Sequence, residues 1–205
     1  MPRGRPRGFD RDIALTQAMD VFWRRGYQDT SIADLTERLG INSPSLYAAF
    51  GSKSALFREV AERYETAEGA RPGREMMAAS TARDGVERLL RSNAELFTRR
   101  GGPRGCLLTR ATLSCPDDDV DVRRYLDESR RSRRALIRSR LARGAEDGEH
   151  LPDGDLDALA DHYDALVQGM AVQAAEGASR ATLQRGIDVA MAGWDALSAA
   201  RSVRG

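Results

Sequence analysis

Histidine and cysteine carry most nucleophilic, redox and metal chemistry, and this 205-residue chain has only two of each: His150, His162, Cys106 and Cys115. Their spacing fits no common zinc-ligand pattern, so no metal and no cofactor is expected. Two histidines and two cysteines assemble no nucleophile–base–orienter set, and there is no glycine-rich phosphate loop, so no catalytic residue is assigned and an enzyme is not expected. Cys106 alone has a context for reactivity. It follows Arg104 and Gly105 at the expected start of a helix, where the helix N-terminus and a guanidinium favour a thiolate. That would suit a sensor of oxidants or electrophiles; a buried packing cysteine is the plainer reading. Cys115 lies ~13 Å further along the same helix, too far for a disulfide within the chain. Asp117, Asp118 and Asp119 read as a capping turn, without the further spaced oxygen ligands of a calcium loop.

A second chemistry sits near the N-terminus. Arg3, Arg5 and Arg7 stand in segment 2–8 with no acidic residue, a tail able to enter a DNA minor groove or to remain a solvated extension. Further on, Ser43, Pro44, Ser45, Tyr47, Ala48 and Ala49 form one side of a short helix. Hydroxyls there can bond bases or phosphates, Pro44 and Ala49 can pack on thymine methyls, and Tyr47 can give its phenol to a phosphate. Lys53 at the next helix start adds a charge where backbone N–H groups also attract phosphate, and Thr30 with Ser31 repeats that arrangement one helix earlier. With Asn42 added, the expected DNA-facing set is Arg3, Arg5, Thr30, Ser31, Asn42, Ser43, Pro44, Ser45, Tyr47, Ala49 and Lys53.

These residues need helices to hold them, and the pattern supplies helices. Apolar residues recur three and four apart almost throughout, with no strand-length alternation, which predicts an all-α protein. Asp10 caps a first helix with Ile13, Ala14, Ala18, Val21 and Phe22 inward, ending near Gly26. Thr30, Ser31 and Asp34 give a capping pattern for a second, closed by Gly40. Ile41 can plug the angle before a third helix that starts at Asn42 or Ser43, tolerates Pro44, and turns Leu46 and Phe50 inward. This is a helix-turn-helix, or otherwise a tight helical hairpin with a polar exterior. Ser52 caps a fourth helix through Tyr64, and Pro72 and Gly73 mark a boundary at 71–73. Five more helices are expected near 83–99, 104–115, 118–143, 154–175 and 180–200, the last two an antiparallel hairpin.

The run from Ile13 to Phe57 resembles the N-terminal domain of the TetR family. The likeness rests on Phe22, Gly26 and Tyr27, on Thr30, Ser31 and Ile32, on Leu39, Gly40 and Ile41, and on Ser45, Leu46, Tyr47, Phe50, Lys53 and Leu56. It implies a homodimeric regulator with a three-helix DNA-binding head, a connecting fourth helix and a larger ligand-binding and dimerisation body. In that family the positions of Ser43, Pro44, Ser45, Tyr47 and Lys53 contact DNA. Ala48 and Ala49 depart from it, standing where members often carry aromatic or histidine side chains, which shifts weight to the arm and to DNA shape. Segments 105–109 and 169–183 resemble the body of TetR/AcrR-type members. The domains are therefore expected as arm 1–8, head 9–51, connecting helix 52–73 and body 74–205.

The rest follows from composition. With 32 basic and 31 acidic residues the net charge is only +1, so DNA binding rests on distribution rather than sum. No stretch approaches a membrane span, and two cysteines suit a reducing cytoplasm, the expected location. Nine arginines between Arg123 and Arg143 form either a second nucleic-acid surface or, more plainly, a solvated face. A small-molecule effector of unknown identity is expected near Phe97, Cys106, Arg110, Tyr125, His162, Tyr163, Leu166 and Met170. His162 and Tyr163 could equally be packing residues. Leu159, Val167, Ile187, Met191 and Trp194 are expected at a dimer interface, with core the alternative for Met191 and Trp194. Binding of a palindromic DNA operator by a homodimer, relieved by the effector, is the expected function; a Cys106 thiol switch on the same head is the alternative.

Overall fold

The computed structural model describes residues 9–152 and 155–202, with side chains as far as residue 199. Among these residues it is all-helical. Helices α1 (Arg11–Arg25), α2 (Ile32–Leu39) and α3 (Ser43–Phe50) make the head; α4 (Lys53–Tyr64) leads out of it. A π-helical turn (Glu65–Gly69) then carries the chain into α5 (Ala70–Met77). The body continues as α6 (Ala82–Phe97), α7 (Leu107–Ser114), α8 (Val120–Glu146), α9 (Leu156–Ala175) and α10 (Arg180–Ser202).

The head is built by local chemistry. Asp10 caps α1 by accepting from the N–H groups of Asp12 and Ile13, and Ser31 and Asp34 form a reciprocal capping box on α2. Each satisfies donors that a helix start leaves orphaned. Gly40 takes a left-handed conformation (φ 65°, ψ 29°) that lets α2 stop and the chain reverse. Phe22, Leu35, Leu46 and Phe57 are buried together beneath the three helices. Ion pairs from Arg11 to Glu59 and from Arg63 to Asp12 hold α1 along α4.

The expected break at 71–73 is not a helix end. Pro72 falls in the first turn of α5, where its missing N–H is tolerated, just after the backbone has widened into the π turn. Gly73 serves packing instead: a Cβ there would lie 2.9 Å from Leu136 Cδ2, so its absence lets α5 approach α8.

The arginines of α8 are engaged rather than free. Arg133 pairs with the buried Asp164 of α9, Arg134 with Asp157 and Asp161, and Arg138 with Asp157. Arg140 is fully buried beside Glu149. The helix is thus stitched to α9 and, through Arg140 and Arg143 on the Ala79 carbonyl, to the chain preceding α6.

The seam on the last two helices also needs correction. Val167, Ile187, Met191 and Trp194 are each no more than 3% exposed within one protomer, and Leu159 is half-buried against the same core. Helix α10 lies more closely on α6 than on α9, fastened by Arg83–Asp195 and Arg91–Asp188. Its apolar seam therefore faces its own core. The outward side carries Gly186, Val189, Gly193, Ala196 and Leu197.

Candidate nucleic-acid interface and cavity

Helix α3 presents Asn42, Pro44, Tyr47 and Ala48 to solvent, with Ser43, Ser45 and Ala49 half-exposed and Leu46 and Phe50 buried. The Asn42 carboxamide accepts from the Ser45 N–H at 2.9 Å, so it caps the helix as well as standing on its exposed face. Tyr47 is 48% exposed, an unusual position for a large aromatic. Phe9 packs on Phe50 and Arg11 lies over the same ring, bracing the start of the head; neither stood out in the sequence.

One expectation is corrected by geometry, that of an outward Thr30 side chain. Thr30 is 0% exposed and its hydroxyl donates to the Gly26 carbonyl at 2.7 Å, so its side chain locks the turn between α1 and α2 rather than facing outward. The Ser31 hydroxyl is exposed but already engaged with Asp34 in the capping box. Lys53 folds back over the Tyr27 ring, 4.5 Å from its centroid, and donates to the Gln28 carbonyl; burial lowers its pKa. Arg3 and Arg5 lie outside the described residues.

The head is joined to the body by specific bonds. The Trp23 indole N–H donates to the Gly105 carbonyl at 3.2 Å, and the Tyr27 N–H to Ser114 Oγ at 3.0 Å. The Tyr27 phenol donates to Asp119, and burial followed by that carboxylate raises its pKa. Helix α7 therefore has both ends tied to α1 or the turn after it.

Inside the body is a cavity of about 540 Å³ walled by α4, the π turn, α5, α6, α8 and single residues elsewhere, a size ordinary for a small-molecule site. Buried Met76, Leu89, Leu96, Phe97, Ile137 and Val167 are among its apolar lining. Of the residues expected at a ligand, Phe97 and Cys106 line it. Arg110 lies on a neighbouring groove between α1, α7 and α9 that also touches Cys106. Tyr125 stands behind the wall and donates to Glu65. His162, Tyr163, Leu166 and Met170 do not reach the cavity. His162 is exposed, and Tyr163 packs on Trp194, its pKa raised by burial to about 12.

Sequence reasoning missed Tyr64, Glu65, Arg74, Asn93, Ser129, Ser132, Arg133 and Leu136, all on the lining. The last four recur at i, i+3, i+4 and i+7, a signal hidden among the arginines of α8. At the back of the cavity the Tyr64 hydroxyl donates to Cys106 Sγ at 3.5 Å. Arg104 is turned away, bonding the carbonyls of Ala174 and Ala178.

A neutral, outward recognition helix on a three-helix head, joined to a helical body with an apolar cavity, defines a helix-turn-helix DNA-binding regulator rather than an enzyme. The sequence profile described as bacterial regulatory proteins, tetR family, matches residues 14–60, and that of the tetracyclin repressor-like C-terminal domain matches 82–190. The chain is 34% identical over 178 residues to the HTH-type transcriptional repressor ComR of Escherichia coli K12, covering 86% of this chain and 85% of that protein. A cysteine mutant of the TetR family regulator CifR, solved with 26-base-pair double-strand operator DNA, superposes with a TM-score of 0.87 at 43% identity, covering 93% of this chain and all of that one. A TetR regulator from Rhodococcus sp. RHA1 is 39% identical with a TM-score of 0.59, over 90% of this chain and 98% of that one. The chain belongs to the TetR family of transcriptional regulators. Among the described residues no helix is long and apolar enough to cross a membrane.

Proposed function

We propose that the protein is a ligand-responsive repressor that binds a palindromic operator as a homodimer and releases it when a small molecule occupies the body. The observation that carries this is the dual role of α4: it receives the head, and its last residue, Tyr64, lines the cavity together with Glu65. A ligand that repositions this wall moves the head. On the operator, the two α3 helices would enter successive major grooves ~34 Å apart, so a small change in head spacing breaks the fit. Ligand and DNA then oppose each other by equal coupling free energy. The outward residues of α10, Gly186, Val189, Gly193 and Leu197, with Ala165 and Gly169 of α9, supply small and apolar surface for an isologous contact. ComR is named a repressor and CifR was solved on operator DNA, which supports the same reading here. The test is a titration against the chain's own upstream intergenic DNA at two salt concentrations, beside a Tyr47→Ala/Lys53→Ala double mutant. Tight, sequence-selective binding that the double mutant loses is expected; equal weak binding to random DNA by both proteins would overturn the assignment.

A second reading is favoured by the position of Cys106 on the cavity wall beside the Tyr64 hydroxyl. On it, an electrophile entering the cavity is captured by Sγ, and the thiol proton passes to the electrophile's acceptor atom. Release of DNA by such a compound in the wild type but not in Cys106→Ser decides for it.

A further inference from the structure

The cavity lining also says what a ligand must look like. Its inner wall is apolar, and two of its inner polar groups are engaged: the Tyr64 hydroxyl with Cys106, and an N–H of the Asn93 amide with the Leu89 carbonyl. Three residues of the lining, Arg74, Ser132 and Leu136, are exposed to solvent. They place the mouth between α5 and α8, at the close approach of Gly73 and Leu136.

Charge is distributed unevenly along this path. Glu65 accepts from the hydroxyls of Tyr125 and Ser129, one on each oxygen. Arg133 is held by Asp164, which also accepts from Gln168. Among the described residues the Arg74 side chain has neither an ion pair nor a hydrogen bond, although its neighbour Arg71 on the same helix is engaged with Glu75 and Glu95. The mouth thus offers a guanidinium with five free N–H donors, in a planar fork that matches a carboxylate. We propose that the cavity takes an apolar monocarboxylate, its tail among Met76, Leu89, Phe97 and Ile137 and its head group held by Arg74 at the mouth. This rests on the effector reading above and narrows it to a chemical class.

Three probes of equal chain length, decanoate, 1-decanol and decylamine, separate the alternatives by calorimetric titration of DNA-free protein. Decanoate is expected to bind at least about tenfold more tightly than 1-decanol, as one charge-assisted contact implies. Arg74→Gln should remove that advantage while leaving 1-decanol unchanged, and Arg71→Gln should leave decanoate unchanged. Equal binding of acid and alcohol, preference for the amine (Glu65 then being the partner), an equal effect of the two arginine variants, or no binding of any probe would each overturn the proposal. Operator binding is then measured with saturating decanoate. If decanoate binds through Arg74 without changing DNA affinity, the ligand class stands and the effector reading falls.

Discussion

The backbone N–H of Tyr27 in the head donates to the hydroxyl of Ser114 at the end of α7, at 3.0 Å, while Cys106 at the other end of α7 lines the cavity. Eight residues of helix span only ~12 Å, so one short rigid element reaches from the cavity to the turn that follows α1. The Trp23–Gly105 bond fixes the near end to the same helix α1. On the proposed reading, a ligand that displaces Cys106 or Leu108 strains this joint as well as α4, and the joint is a place where coupling can be measured.

Gly26 sits in that joint with φ 88° and ψ 175°, and a Cβ on it would meet Ser114 Oγ at 2.6 Å. Gly26→Ala is expected to cost ~1–3 kcal/mol, because an alanine there is strained whatever the space. Adding Ser114→Ala relieves the clash but not the backbone, and it also removes the acceptor of the Tyr27 N–H, so measured against Ser114→Ala alone most of the loss should persist in urea unfolding of the double mutant. Full recovery in the double mutant would show that contact rather than backbone strain dominates.

Much of the head could be read directly, because its signals are local. Asp10, Ser31 and Ser52 each cap a helix as their types and positions predicted, and Asn42 caps the third helix, whose start the sequence left between Asn42 and Ser43. The body was less legible for physical reasons. Its cavity draws on α4, α5, α6 and α8, whose lining residues are far apart in the chain, and Ser129 and Ser132 look like any solvated positions among arginines. The apolar seam of α10 is the same string whether it faces α6 or a second copy of the protein, and burial assigns it to α6. Thr30 failed differently: a hydroxyl beside a helix start can point out or back, and the Gly26 carbonyl captured it.

Arg140 is fully buried, donating to the Ala79 carbonyl and lying 3.6 Å from Glu149, which also accepts from the Ala82 N–H. Removing one partner of such a pair leaves an uncompensated charge. Glu149→Ala is expected to cost ~3–5 kcal/mol, whereas the paired replacement Arg140→Met/Glu149→Leu, which removes both charges, should be near neutral or stabilising. Denaturant midpoints compare the two; equal losses would mean that the guanidinium contributes by packing.

Asp157 and Asp161 have pKa values lowered by hydrogen bonds to Arg138 and Arg134, and to Arg134, respectively. Folded values below the unfolded ~3.9 mean that this contribution is present above about pH 4 and is lost as pH falls through the depressed folded values. The difference in melting temperature between wild type and Arg134→Gln is therefore expected to be constant near neutrality and to vanish in strong acid. Asp161 is exposed and Asp157 half-exposed, so added salt should shrink it as well. A difference that persists unchanged at acid pH would assign the effect to Arg134's alkyl packing on α9.

DNA affinity offers the sharpest test of the head. Helix α3 carries no charged residue, so attraction to phosphate from the described part of this face falls largely to Lys53, which now lies over Tyr27 and must swing outward to reach DNA. Each neutralised phosphate contributes about 0.9 to the slope of log affinity against log salt. Lys53→Gln is expected to lower that slope by about one contact and to weaken specific and random DNA alike, since phosphate contacts carry no sequence information. Tyr47→Phe, which removes only the hydroxyl, should weaken binding without changing the slope. If Lys53→Gln leaves the slope unchanged, the ammonium stays on Tyr27 in the complex and the phosphate attraction comes from elsewhere in the chain.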